Sequence, residues 1–242
     1  MRKKEKTREI PSRSSRAIKV WILVAALLVI NVFTGLVNVL PSQARREVEW
    51  EYGIQKPQTI WQHWEWELPL SQKQSYLSVN DRQFCFSNVG LHWLGSFVRH
   101  GWYAEDPMIL SQQAGHPAQC GMYLLQDGKD YIMYLVGRIA DYRIDQVVFT
   151  LRWGFDEETI ELAQKDWIRT EHGIFFVHRM DISDRKPQQK NETPLSKPRE
   201  WDGPTGIWMT VLDEEGQPLI WKDSQGYEST SYYIKERMTA GR

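Results

Sequence analysis

Two cysteines, six histidines and a broad supply of acids are the raw material for chemistry in this 242-residue chain. In the segment GHPAQC, His116 stands four residues before Cys120, a pairing that would suit an imidazole-activated thiol. Pro117 turns the segment away from a helix face, however, and no motif marks an Asn or Asp to orient the base. Two cysteines in an oxidising compartment predict one disulfide instead. A Cys85–Cys120 bridge would close a loop of about 36 residues and contribute roughly 3.8 kcal/mol. His63, Glu65 and Glu67 share one parity of an alternating segment, but successive same-face residues of a strand lie about 6 to 7 Å apart. They read as a solvated face rather than a metal ligand set. His172 and His178 also share parity, yet roughly 20 Å of extended chain between them rules out a common metal. Asp156, Glu157 and Glu158 form the densest acidic turn and read as solvated. With no GxSxG elbow, HExxH helix, phosphate loop, dinucleotide fingerprint or calcium loop, no cofactor and no metal site is expected. A glycan hydrolase needs only two carboxylates brought together by the fold, so that activity stands as the enzymatic alternative.

Aromatic residues offer a second kind of function. The chain has 12 Trp, eleven of them outside its long apolar run. A buried indole removes a large apolar surface from water, so most are expected in a core. Trp61, Trp64 and Trp66, near the start of the exterior part, and Trp201, in a long polar loop, are the candidates for exposed platforms that would meet a sugar ring or a partner's surface.

The elements that must position these residues follow from a split in charge. Residues 1–40 carry eight Lys and Arg against two Glu, a net of +6, and the remaining 22 bases and 29 acids leave -7. A chain whose larger part has no basic excess is not a nucleic-acid binder of the usual kind. Residues 1–19 form a basic tail suited to anionic lipid, and residues 20–40, uncharged throughout, span roughly 31 Å as a helix. That length predicts a transmembrane helix, with Trp21 at the interface and Pro41 ending it. The bases lie almost wholly on the N-terminal side, which keeps that end cytoplasmic and exports the rest. Ser42-Gln43-Ala44 offers an alternative, secretion after cleavage near Ala44, although the apolar run is longer than a signal-peptide core. Residues 41–60 are polar and read as a stalk.

Beyond the stalk the pattern is period two. WQHWEWE sends Trp64 and Trp66 one way and His63, Glu65 and Glu67 the other. Asn80-Asp81 and Asp127-Gly128 each stand between apolar runs and predict hairpins. Val147, Phe149, Leu151 and Trp153 alternate before Gly154, and the return arm through Ile160 and Leu162 is read as a strand. These cues divide the exterior part into a β-rich portion, residues 61–118, and a β-sandwich portion, residues 119–242, interrupted by a proline-rich loop at 183–205.

The stretch VGRIADYRIDQVVFTLRWGFDEETI, followed by GIFFVHR and GIWMTVLDEEGQPL, resembles the immunoglobulin-like exterior modules of single-pass membrane proteins from Gram-positive bacteria. The resemblance covers about the last 110 residues and implies envelope binding or sensing rather than catalysis. The expectation is therefore a mainly β protein. An N-terminal transmembrane helix would hold an antiparallel immunoglobulin-like β-sandwich outside the cell, where it binds a membrane or envelope protein, or a glycan, without turnover.

Overall fold

The structure, a computed structural model, describes residues 13–34, 40–67, 71–92, 101–111, 116–127, 130–185, 203–222, 228–235 and 237–240. The chain is mainly β, and its described strands build three stacked sheets and one two-stranded ribbon. The first holds β1 (Gln58–Glu67), β2 (Ser71–Val79), β3 (Gln83–His92) and β4 (Gly101–Ala104) in that order, with β5 (Met108–Ser111) also pairing with β3. The central sheet is built around β6 (Ala118–Asp127) and β7 (Asp130–Ile139). The third contains β8 (Gln146–Trp153) and β9 (Asp156–Ala163). After β10 (Ile168–Thr170), β11 (Gly173–Asp181), β12 (Gly206–Leu212), β13 (Trp221–Lys222), β14 (Glu228–Ser229), β15 (Ser231–Tyr233) and β16 (Arg237–Ala240), the central order is β10-β11-β7-β6-β16. The third sheet runs β15-β12-β8-β9. Every pairing is antiparallel except that of β16 with β6.

Position in the stack explains composition. Strand β7, DYIMYLVGRI, is buried almost along its length because its two faces feed two cores. Ile132, Tyr134 and Val136 meet Leu77, Phe84 and Phe86 of the first sheet. Tyr131, Met133 and Leu135 meet Phe149, Leu151, Ile207 and Met209 of the third. Strand β8 has its other face toward solvent and alternates, as the sequence predicts. The two hairpins expected at Asn80-Asp81 and Asp127-Gly128 join β2 to β3 and β6 to β7, and the return arm after Gly154 is the strand β9.

The same parity overturns the expected disulfide. Cys85 and Cys120 are both buried and both free. On β3, Phe84 and Phe86 face the central sheet, so Cys85 between them faces the opposite way, beside Ser78 on β2. Cys120 packs in the core beyond the central sheet. Two sheets intervene, and layers about 10 Å apart leave no reach for a bond that needs sulfur atoms in contact. Desolvation, with the Glu49 charge nearby, also pushes the Cys85 thiol up out of the reactive range. Thiol titration is expected to count two thiols per unfolded chain and almost none in the native protein. Reductant should leave the unfolding midpoint unchanged.

Helices precede the sheets. α1 (Arg13–Thr34) carries the described part of the apolar run. Among the described residues no helix is long and apolar enough to cross a membrane. The uncharged stretch of α1 described, Val20 to Thr34, spans about 22 Å against the roughly 30 Å of a bilayer core, and residues 35–39 of the expected span lie outside the described residues. So do residues 1–12 of the basic tail.

Where a stalk was expected, α2 (Pro41–Glu51) packs on the outer face of the first sheet. Pro41 opens this helix, a first-turn position in which its missing N–H costs nothing. The apolar contact is small, Ala44 against Tyr76 and Val89, and a buried carboxylate reinforces it. Glu49 is 5% exposed and accepts a 2.6 Å hydrogen bond from the Ser78 hydroxyl, with Arg45 Nε at 3.7 Å. Burial raises the Glu49 pKa, and Ser78, Arg45 and Arg46 oppose it without reversing it. A raised folded pKa means that the stability linked to this group is present below the ordinary value near 4.5 and is lost as pH rises through the folded value. Glu49→Gln keeps an acceptor for Ser78 without the charge. Its stability relative to the parent should therefore improve as pH increases from 4 to 8, read from urea midpoints.

Candidate ligand-binding cleft

At one end of the central and third sheets, three connections line an open cleft of about 560 Å³. His116 and Pro117 lead into β6, Ala140 to Arg143 join β7 to β8, and Leu219 to Trp221 lead into β13. This volume lies within the range of about 300–1,000 Å³ common to small-ligand sites. Trp221 is nearly buried, and Tyr142 and Ile220 stand at 91% and 64% exposure.

The loop that carries Tyr142 is fixed on all sides. Ala140 N–H and Asp141 N–H both donate to the Pro117 carbonyl, at 2.8 and 3.1 Å, and Asp145 N–H donates to Leu212 O at 2.9 Å. Within the loop, Asp141 Oδ1 accepts from the Arg143 backbone N–H at 2.9 Å, an Asx-type turn. The Arg143 guanidinium then returns to the same carboxylate, with Nη2 at 2.6 Å from Oδ2 and Nε at 3.1 Å from Oδ1. The hydrogen bonds from Arg143 hold the Asp141 carboxyl below the usual carboxylate range. Tyr142 sits between the two paired residues and projects outward from a tip whose backbone is already ordered. Such a ring adds contact area at a low entropic cost.

The cleft lies at the end remote from the start of α2. Ala44 packs beside Tyr76, Glu49 meets Ser78 and Gln55 O accepts from Asn80 Nδ2, so α2 runs alongside β2 toward its last residue, Val79. The β2–β3 turn then meets the β10–β11 turn through Asp81 and His172, 2.8 Å apart, and β11 begins opposite Ile139, where the cleft loop starts. The first residues of α2 are therefore set back from that end by about the length of the helix, roughly 16 Å.

The residues singled out in the sequence fall mostly elsewhere. His116 lines the cleft, its ring edge-on to Tyr232 with centroids 6.1 Å apart, and it is not beside a reactive thiol, since Cys120 faces the core. Trp61 is no open platform: a bulge after Thr59 puts it on the inner face, with Phe86 at 6.0 Å and Tyr134 at 6.1 Å. His63 stacks on the same indole. Trp64 is half-buried beside Ala44 and Tyr76 on the other face. Trp66 lies on β1 opposite Gln72, its side chain outside the described part, and Trp201 lies outside the described residues, as do residues 186–202 of the long loop. The acids expected in a turn, Asp156 to Glu158, instead begin strand β9, where Glu157 pairs with Arg152 at 2.6 Å and Glu158 with Arg185 at 3.3 Å. Among the described residues no group of three His, Cys, Asp or Glu could hold a metal.

Tyr142, Ile220 and the Asp141–Arg143 pair are the residues that the sequence reading passed over. The available signal was local: Asp141 and Arg143 flank an aromatic residue just after a long apolar strand. Comparison with known proteins adds no relative, since no family model, curated protein or solved structure matches this chain.

Proposed function

We propose that this chain is a membrane-anchored, extracytoplasmic binding module that takes a partner protein or an envelope component in the cleft beside Tyr142, without turnover. The observation that carries this reading is the preordered loop tip, with Tyr142 at 91% exposure and Ile220 at 64% among the residues that line the cleft. Exposed apolar groups grouped on a fixed edge of a concave site favour recognition. The basic residues of 1–19 and the uncharged run of 20–40 support anchoring with the N-terminus cytoplasmic. The central and third sheets, facing each other across a shared core, support an immunoglobulin-like reading of the later half, with the first sheet as an added layer. A hydrolase in this cleft would need a second carboxylate. Asp141 is the only acid among the described lining residues, and Arg143 keeps it ionised and unsuited to donate a proton.

The test is site-specific photo-cross-linking in intact cells. A photoreactive residue at position 142 is expected to give a discrete adduct. The same residue at position 155, where Phe155 is fully exposed on the opposite β8–β9 turn, should not. Adducts equal from both positions, or from neither, would sink the proposal, as would hydrolysis of envelope glycan by the purified chain.

A further inference from the structure

We infer that the cleft takes a neutral saccharide, a deepening that rests on the binding-module reading above. The argument begins with charge. The described lining residues include one carboxylate and one guanidinium, which neutralise each other across 2.6 Å, with His116 the other titratable group, so the pair itself offers no ionic selection for an anion or a cation. What it offers is a donor and an acceptor fixed side by side. The Arg143 side chain spends Nε and Nη2 on Asp141, and among the described residues nothing takes Nη1. Asp141 Oδ1 is filled by the backbone N–H and Nε of Arg143, whereas Oδ2 takes Nη2 and only a share of Nε, so Oδ2 keeps acceptor capacity. Adjacent hydroxyls on a sugar ring are each donor and acceptor, so a vicinal pair can accept from Nη1 and donate to the carboxylate at once.

The second half of the match is apolar. A pyranose has a face of C–H bonds, and Tyr142 presents a ring at 91% exposure next to the fixed pair, with the Ile220 side chain at 64% beside it. A flat C–H face covers an exposed aromatic ring without leaving polar groups unpaired. An extended peptide would fill the apolar rim equally well, but its backbone has no pair of neighbouring hydroxyls for the Asp141–Arg143 clamp. The clamp is also held in advance by the loop's own hydrogen bonds, so little side-chain entropy remains to be lost when a ligand arrives.

The experiment uses the full chain in detergent micelles, titrated calorimetrically with neutral tetrasaccharides of glucose and of N-acetylglucosamine. The inference expects saturable binding of at least one of them, with Kd raised about tenfold by Tyr142→Ala and by a similar factor by Arg143→Met. Tyr142 is almost fully exposed, so the Tyr142→Ala protein should keep the parent's thermal midpoint, which separates lost recognition from lost folding. The inference is overturned if no sugar binds, or if one binds and Tyr142→Ala leaves its affinity unchanged. Should the sugars fail while position 142 still cross-links selectively, the saccharide is wrong and the binding module stands. Should both fail, the module reading goes with it.

Discussion

Gly137→Ala is expected to cost about 3 kcal/mol or more, a large share of the roughly 5–15 kcal/mol that keeps an ordinary domain folded. A Cβ on Gly137 would overlap the ring of Phe176 from one side and the carbonyl oxygen of Gln119 from the other. A ring can be displaced at some cost in packing, whereas the carbonyl belongs to β6, the strand paired with β7 at this point through Cys120. Relief on that side means parting the central hairpin. Urea unfolding should show the collapse in midpoint, and adding Phe176→Leu should recover only part of it, because the substitution removes one of the two collisions. Full recovery by Phe176→Leu, or a Gly137→Ala protein as stable as the parent, would contradict the packing described here.

Phe86→Ala should come close behind, with a loss of about 3–5 kcal/mol. Phe86 is completely buried between the first and central sheets, with Tyr134 at 4.8 Å, Tyr123 at 5.1 Å and Trp61 at 6.0 Å between ring centroids. Its removal deprives three aromatic rings of a common neighbour and leaves a cavity that β-sheet backbones cannot close. The damage should be directional. Amide exchange in β2 and β3 is expected to accelerate more than exchange in β8 and β12, whose core is a separate one on the far side of the central sheet. Uniform acceleration across all four strands would show that the two cores do not unfold separately.

The strand plan was legible in the residues because hairpins announce themselves locally. Asn80-Asp81 and Asp127-Gly128 each need only a few positions to specify a turn, and the flanking alternation supplies the strands. The helix α2 was not legible, because its buried apolar surface amounts to Ala44 and Val48 within a charged segment, and its strongest fixing is a buried carboxylate. Pro41 also has two meanings. It ends a preceding helix or begins a new one, and only the packing of the residues on its C-terminal side decides between them. The free cysteines teach a similar lesson: their number predicts a bond, but strand parity sends Cys85 and Cys120 to faces two layers apart. For the cleft, the obstacle is topology. Residues 116–117, 140–143 and 219–221 converge only because β7 and β12 end on the same side, a fact that no short window of sequence contains.

The parallel pairing of β16 with β6 has a consequence in time. Met122 lies opposite Arg237, more than a hundred residues later, while β6 already has β7 on its other side from a hairpin of immediate neighbours. A chain emerging from its N-terminal end, whether from a ribosome or through a membrane pore, thus completes the β6–β7 hairpin early and then waits. Until the last strand arrives, β6 holds a row of unpaired amides and carbonyls, the surface on which a second unfinished copy would most readily settle. Slow delivery of the later residues is then a hazard in itself, one that ends only when the edge strand β16 covers β6.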